Sequence, residues 1–215
     1  MIPAIWRLKG LILRVVSPLF FERVGPGTQF TGRVRLPMPF RKVRIGRAAM
    51  IGHDVFFQTG RTSHIHIGDQ VSLNSGCHLV ASEAITIGDN VAVGEYVSIR
   101  DQEHRFTPAT GVRRQGFSVA PVSIGDNVWI GRGAYIGPGS VIGAGSIIAA
   151  NSVVRGQFPP GVLIAGAPAN IKRRILPSGE TVAWTGSDEA ASSEPTDPQG
   201  DAAPMTATAT GDTAE

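Results

Sequence analysis

Residues 122–155 read VSIGDNVWIGRGAYIGPGSVIGAGSIIAANSVVR, and an aliphatic residue returns at every sixth position: Ile124, Ile130, Ile136, Ile142, Ile148 and Val154. Two positions before the last five stand Val128, Ala134, Ser140, Ser146 and Ser152, all small or short. Residues i and i+2 share one face of a strand, so each unit is a very short strand with two inward side chains. Gly125, Gly131, Gly137 and Gly143 follow the aliphatic position, where glycine permits the tight backbone of a corner. Units this short cannot bury a face alone and must stack on their neighbours. Three units closing a triangular coil put each residue about 4.8 Å below its equivalent in the next coil, the spacing of paired strands. The expected stacks are Ile124 on Ile142, Ile130 on Ile148 and Ile136 on Val154. The fold class is therefore all-β, a parallel β-helix of hexapeptide repeats.

The same spacing continues upstream. It runs through Ile45, Ile51 and Phe57, then Ile67, Leu73, Leu79 and Ile85, then Ile87, Val93 and Ile99. The step from Ile85 to Ile87 predicts one coil with two extra residues. Between Ile99 and Ile124 the pattern breaks over RDQEHRFTPATGVRRQGFSVAP, residues 100–121, which predicts a loop thrown out of the solenoid. Long loops on a regular scaffold are where function concentrates. This one holds Asp101, Glu103 and His104 among the cations Arg100, Arg105, Arg113 and Arg114. After Val154 the repeat dissolves into GQFPPGVLIAGAPANIKRRI, whose prolines and glycines mark turns and whose end is basic. Residues 25–185 are read as the β-helix domain, with a turn-rich lead-in over 25–42 and repeats over 43–165.

Residues 1–24 precede that domain. Ile5, Leu8, Ile12, Val15, Val16 and Leu19 lie at helical spacing with Arg7 and Arg14 opposite, predicting a short amphipathic helix that ends near Pro18. It is too short and too charged to span a bilayer and lacks the marks of a signal peptide, so the chain is expected in the cytoplasm. The helix either covers the open end of the solenoid or a neighbouring subunit, or it makes peripheral contact with the inner face of the membrane through residues 2–20. Residues 186–215 have no apolar periodicity and seven acids without a base, predicting a disordered acidic tail.

Net charge is +3, yet all 20 Lys and Arg precede residue 176, so the body is much more basic than the total suggests. Such a body attracts a phosphorylated ligand or an anionic surface. No aromatic-rich basic motif of a nucleic-acid reader is present, and nucleic acid is not expected as a partner. The single cysteine, Cys77, rules out an intrachain disulfide and fits a reducing compartment. It occupies the small inward position before Leu79 and reads as core.

Three stretches together carry a resemblance: the run over residues 122–155, the histidine-bearing loop before it, and the closing AGAPANIKRR. Over about residues 45–175 the chain resembles the hexapeptide-repeat acyltransferases, in particular the galactoside and maltose acetyltransferase group and related polysaccharide O-acetyltransferases. The resemblance implies a left-handed coil and a homotrimer with active sites between subunits. It implies acetyl-CoA as co-substrate, no metal, and direct acetyl transfer to a hydroxyl of a sugar or glycan acceptor in polysaccharide biosynthesis. By that resemblance His104 is the general base, and imidazole can accept the alcohol's proton near neutral pH. Asp101 or a backbone carbonyl would take the ring's other N–H. Asn74 matches an asparagine that contacts the acceptor, although asparagine also suits a corner. Trp129 matches a tryptophan beside the pantetheine groove, and the backbone at Gly131 and Ala150 matches amide contacts to the cofactor. Arg155 and Arg173 lie where relatives place groups near the nucleotide, and cations suit its phosphates. Residues 1–40 do not align with the family's acceptor-pocket segment.

Other readings stay open at this point. An amine acceptor, as in N-acetylation of a nucleotide-linked amino sugar, needs the same scaffold. A non-catalytic β-helix scaffold needs only the repeats. A β-helical carbonic anhydrase needs three zinc-binding histidines with a pair five residues apart, and His53, His64, His66, His78 and His104 do not supply that spacing.

Overall fold

The computed structural model describes residues 20–36 and 42–186. Short parallel strands stack into three sheets that form the faces of a left-handed β-helix. The first face runs through Arg23–Val24, Val43–Ile45, His64–Ile67, Ala84–Ile87, Val122–Ile124, Val141–Ile142 and Gln157–Phe158. The second runs through Gln29–Phe30, Met50–Ile51, Ser72–Leu73, Ala92–Val93, Trp129–Ile130, Ile147–Ile148 and Val162–Gly166. The third runs through Val34–Arg35, Val55–Thr59, His78–Ala81, Ser98–Arg100, Tyr135–Ile136 and Val153–Val154. The stacks expected from the repeat are present: Ile124 pairs with Ile142, Ile130 with Ile148 and Ile136 with Val154.

The aliphatic positions are buried throughout, as are the small inward positions Val128, Ala134, Ser140, Ser146 and Ser152. A buried hydroxyl is tolerated only with a partner, and Ser140 Oγ donates to the Gly137 carbonyl at 2.7 Å. The aspartates of the G-D-Q and G-D-N corners form a ladder. Asp69, Asp89 and Asp126 accept the backbone N–H groups of Arg47, Asp69 and Asp89 in the preceding coil, each at 2.7 Å. Asn90 and Asn127 follow with φ of 56° and 58°, a left-handed conformation that asparagine tolerates better than most residues.

Every insertion leaves at one edge of the prism. Leu79 pairs with Ile99, 20 positions on, which is the two-residue excess expected around Ile85. Phe57 pairs with Leu79 across 22 positions. In each coil the first-to-second and second-to-third corners keep the six-residue step, and the extra residues sit between the third face and the next first face. The longest of them separates Ile99 from Ile124.

Two boundaries differ from the sequence expectation. The lead-in over 25–42 contributes a coil of its own, because Val24, Phe30 and Val34 pair in parallel with Ile45, Ile51 and Val55. Arg23–Val24 is thus a strand of the solenoid and not the end of a helical segment, and Phe21 and Phe30 are buried in the core. Its inward positions Val24, Phe30 and Leu36 keep the sixfold spacing, but they stand within Gly- and Pro-rich sequence that reads as turn. The amphipathic helix expected over residues 2–16 and the acidic tail beyond 186 lie outside the described residues. Among the described residues no helix is long and apolar enough to cross a membrane.

Candidate active site

A groove of about 510 Å³ lies along the second-to-third edge. It is lined by Asn74, Glu95, Trp129, Gly131, Arg132 and Ala150, with Ile147 and Leu163 forming an apolar wall. Four of the residues singled out by sequence therefore converge: Asn74, Trp129, Gly131 and Ala150. The strand period puts Val128 and Ile130 inward and Trp129 outward, and the indole is 56% exposed. At the corners the backbones nearly touch. A Cβ on Gly131 would sit 2.5 Å from the Ala150 nitrogen, so only glycine lets these two coils stack as they do. Gly131 N–H donates to the Ile148 carbonyl at 2.7 Å, whereas no described residue accepts from Ala150 N–H. The Ala150 amide is thus, among the described residues, an unpaired donor on a residue that lines the groove.

Arg173 extends this wall. It lies on Ala169–Ile175, which pairs antiparallel with Val162–Gly166 and sets Arg173 opposite Leu163. Lys172, Arg173 and Arg174 are all exposed there, giving the apolar groove a basic continuation.

His104 is elsewhere in the chain. The segment expected as a loop is a two-stranded arm, with Gln102–His104 antiparallel to Phe117–Val119 and His104 opposite Phe117. The imidazole rests on the Phe117 ring at a centroid distance of 4.3 Å. The arm leaves the third-to-first edge, so within one chain His104 and the Asn74 groove stand on different edges of the prism.

Asp101 does not orient His104. It is fully buried, and its two carboxylate oxygens accept the backbone N–H groups of Ser82 and Glu83, both at 2.7 Å. Its own carbonyl accepts from Ala120 N–H, closing the base of the arm. Burial and this full set of partners make it the anchor of the arm, and within one chain it does not accept the other N–H of the His104 ring as expected. Arg155 is also placed otherwise than expected. Its Nη2 lies 2.6 Å from Glu103 Oε1, and its guanidinium carbon is 5.7 Å from the Tyr135 ring centroid, on the edge that carries the arm. That hydrogen bond holds the Glu103 carboxyl below the usual carboxylate range. Within one chain Arg155 is a tether for the arm and not part of the groove.

Glu95, Arg132, Ile147 and Leu163 were not anticipated in the groove. Glu95 was within reach of sequence reasoning, because the two-residue excess in its coil stacks the Gly94–Glu95 corner beside Asn74. Asn74 Nδ2 donates to Glu95 Oε1 at 3.0 Å. His64 and His66, on the first face, have ring centroids 4.5 Å apart. Among the described residues no group of three or more His, Cys, Asp or Glu converges as a metal site would require.

Comparison with known proteins agrees with this architecture. The model of the bacterial transferase hexapeptide family (six repeats) matches residues 121–156. A candidate acetyltransferase of Schizosaccharomyces pombe is 34% identical over 155 residues, covering 72% of this chain and 73% of its own. The chain belongs to the hexapeptide-repeat transferases. Another of these transferases, the galactoside O-acetyltransferase of Escherichia coli, is 36% identical over 131 residues, 61% of this chain and 63% of its own. A hexapeptide-repeat acetyltransferase of Vibrio cholerae, solved with acetyl coenzyme A, superposes with a TM-score of 0.58 at 27% identity, over 77% of this chain and 78% of its own. The chain spans about three fifths of the length of the first curated relatives it matches.

Proposed function

We propose that the chain is an acetyl-CoA-dependent O-acetyltransferase that acts as a homotrimer on a hydroxyl of a sugar or glycan, in polysaccharide or glycan biosynthesis. The observation that carries the reading is the division of parts between two edges. The groove with Trp129, Gly131 and Ala150 is on one edge, and the arm with His104 is on the next. A neighbouring copy that offers its groove to this arm brings the two together.

In that arrangement the pantetheine lies against the Trp129 indole and the Ile147 and Leu163 wall, the Ala150 amide donates to one of its carbonyls, and Arg173 meets its phosphates. His104 takes the proton of the acceptor hydroxyl as its oxygen attacks the thioester carbonyl carbon. The C–S bond then breaks, the sulfur leaves with a proton, and the acetyl group ends on the acceptor oxygen without an acyl-enzyme. The galactoside O-acetyltransferase likeness and the acetyl coenzyme A bound by the Vibrio cholerae relative support the donor and the reaction class.

The test is CoA release from acetyl-CoA with free sugars, nucleotide sugars, lipid-linked sugars and serine as acceptors. A native mass of three times 22.6 kDa is expected, and His104→Ala is expected to abolish turnover while keeping that mass. Turnover unchanged in His104→Ala would remove the assignment of the base. Turnover with amino sugars alone would replace O-transfer by N-transfer.

A further inference from the structure

Glu95 is the one acid in a groove otherwise walled by apolar side chains, backbone, Asn74 and Arg132. The repeat does not require an acid there, since the corner that follows Val93 and Gly94 is served by any residue that turns. Its placement is nonetheless tightly determined. Glu95 carbonyl accepts from Gly133 N–H at 2.8 Å, and the next residue, Tyr96, donates its N–H to the Ser75 carbonyl at 3.0 Å. Tyr96 holds φ of 58°, a region that a bulky residue seldom enters. Its ring lies over Gly76, where an added Cβ would be 2.5 Å from Tyr96 Cδ1. Asn74 is held in the same way, its N–H donating to the Val93 carbonyl at 2.9 Å.

Between these two fixed corners runs the bond from Asn74 Nδ2 to Glu95 Oε1, 3.0 Å long. A carboxylate oxygen only accepts, whereas a side-chain amide has one donating and one accepting end. Glu95 thus decides which end of Asn74 it receives, and the accepting end is left over. Neither Asn74 Oδ1 nor Glu95 Oε2 takes a hydrogen bond from any other described residue.

We infer that Glu95 is a positioning residue for the acceptor: it fixes the amide of Asn74 so that Asn74 Oδ1 and Glu95 Oε2 together accept from two neighbouring hydroxyl groups. The acceptor class this selects is a polyol with adjacent hydroxyls. The inference rests on the reading of the groove as a transferase site.

Two measurements on the full-length chain test it, and the first does not depend on turnover. In Glu95→Gln the introduced amide offers Asn74 both a donor and an acceptor, so the orientation is no longer forced. The Asn74 side-chain NH2 resonance is expected to move and its hydrogen exchange to accelerate by about fivefold or more, in line with loss of a bond to a charged group. An unchanged resonance overturns the proposal. The second measurement is kinetic. Glu95→Gln is expected to raise KM for a diol acceptor about tenfold with KM for acetyl-CoA held within about twofold. An acceptor lacking one of the two hydroxyls is expected to lose this sensitivity. The exchanged pair Asn74→Asp with Glu95→Gln restores a one-way bond and an acceptor oxygen at position 74, and is expected to recover most of the loss. Equal losses for both substrates, or a double variant no better than Glu95→Gln, overturn it. Absence of turnover in the wild type would strike the transferase reading instead, and the resonance would still decide whether Glu95 orients Asn74.

Discussion

Arg155 and Glu103 are 52 residues apart in sequence and 2.6 Å apart in space, and their contact ties the His104 arm to the body of the prism. Both side chains are about half exposed, so solvent screens the pair and its contribution to global stability is small. Its consequence is local. Glu103 precedes His104 on the same strand, so holding one restricts the other. Arg155→Ala is expected to leave the thermal midpoint almost unchanged while tryptic cleavage at Arg113 and Arg114 speeds up. Because pairing lowers the Glu103 carboxyl, the tether is complete above its unfolded value of about 4.3 and is lost as pH falls through the lower folded value. Amide hydrogen exchange of the arm, residues 102–119, should therefore become equal in wild type and variant in acid; a constant difference down to the acid limit would contradict the tether.

Asp101→Ala removes a buried carboxylate that accepts from two backbone amides at exposed residues, Ser82 N–H and Glu83 N–H. Losing both bonds is expected to cost about 1–3 kcal/mol, read as a lower midpoint in thermal or urea unfolding. Stability equal to wild type, with activity lost, would return Asp101 to a role beside His104.

Gly131→Ala and Gly125→Ala make a matched pair. An added Cβ would meet Ala150 N at 2.5 Å in the first and Ala144 N at 2.7 Å in the second. Both are expected to destabilise by about 1–3 kcal/mol through overpacking. Only the first lies in the groove, so only Gly131→Ala is expected to weaken acetyl-CoA binding, measured by calorimetric titration.

Cys77 is buried, its Sγ faces the Gly94 carbonyl at 3.0 Å, and burial pushes the thiol up to about 11. The thiolate is the reactive form, so alkylation by iodoacetamide near neutral pH is expected only after unfolding. Labelling of the native protein at the rate of a free thiol would place Cys77 outside the core.

His78 stacks on Phe56 at 5.1 Å and is exposed on its other side; partial desolvation, followed by Arg100 and Arg35, lowers its pKa. A histidine lowered in the folded state favours folding above its unfolded value of about 6.5, and that contribution is lost as pH falls through the folded value. His78→Gln is expected to flatten the decline of unfolding free energy below about pH 6.5. An unaltered slope would assign the decline to other groups, His66 first among them, since its pKa is lowered by burial as well.

How far the sequence can be read depends on which interaction is at stake. Isoleucine at every sixth position names an inward face by strand period alone, and Trp129 is outward for the same reason. The first coil escaped that logic because Val24, Phe30 and Leu36 stand amid glycine and proline, whose local signal is turn. The arm escaped it differently. Its strands Gln102–His104 and Phe117–Val119 pair only with each other and bury nothing, so they leave no hydrophobic period.

The amino-acid sequence by itself determined the solenoid, its inward residues and its broken coil, because a two-residue alternation and a six-residue corner are local properties of the backbone. Only the tertiary structure decided what Asp101, Arg155 and Glu95 do. Their partners Ser82, Glu103 and Asn74 lie 19, 52 and 21 residues away. Such pairings follow from how many residues each coil adds at its edge. A shift of one residue in the register of Ala92–Val93 on Ser72–Leu73 would set Glu95 beside another corner, and Asn74 would lose the carboxylate to which it donates.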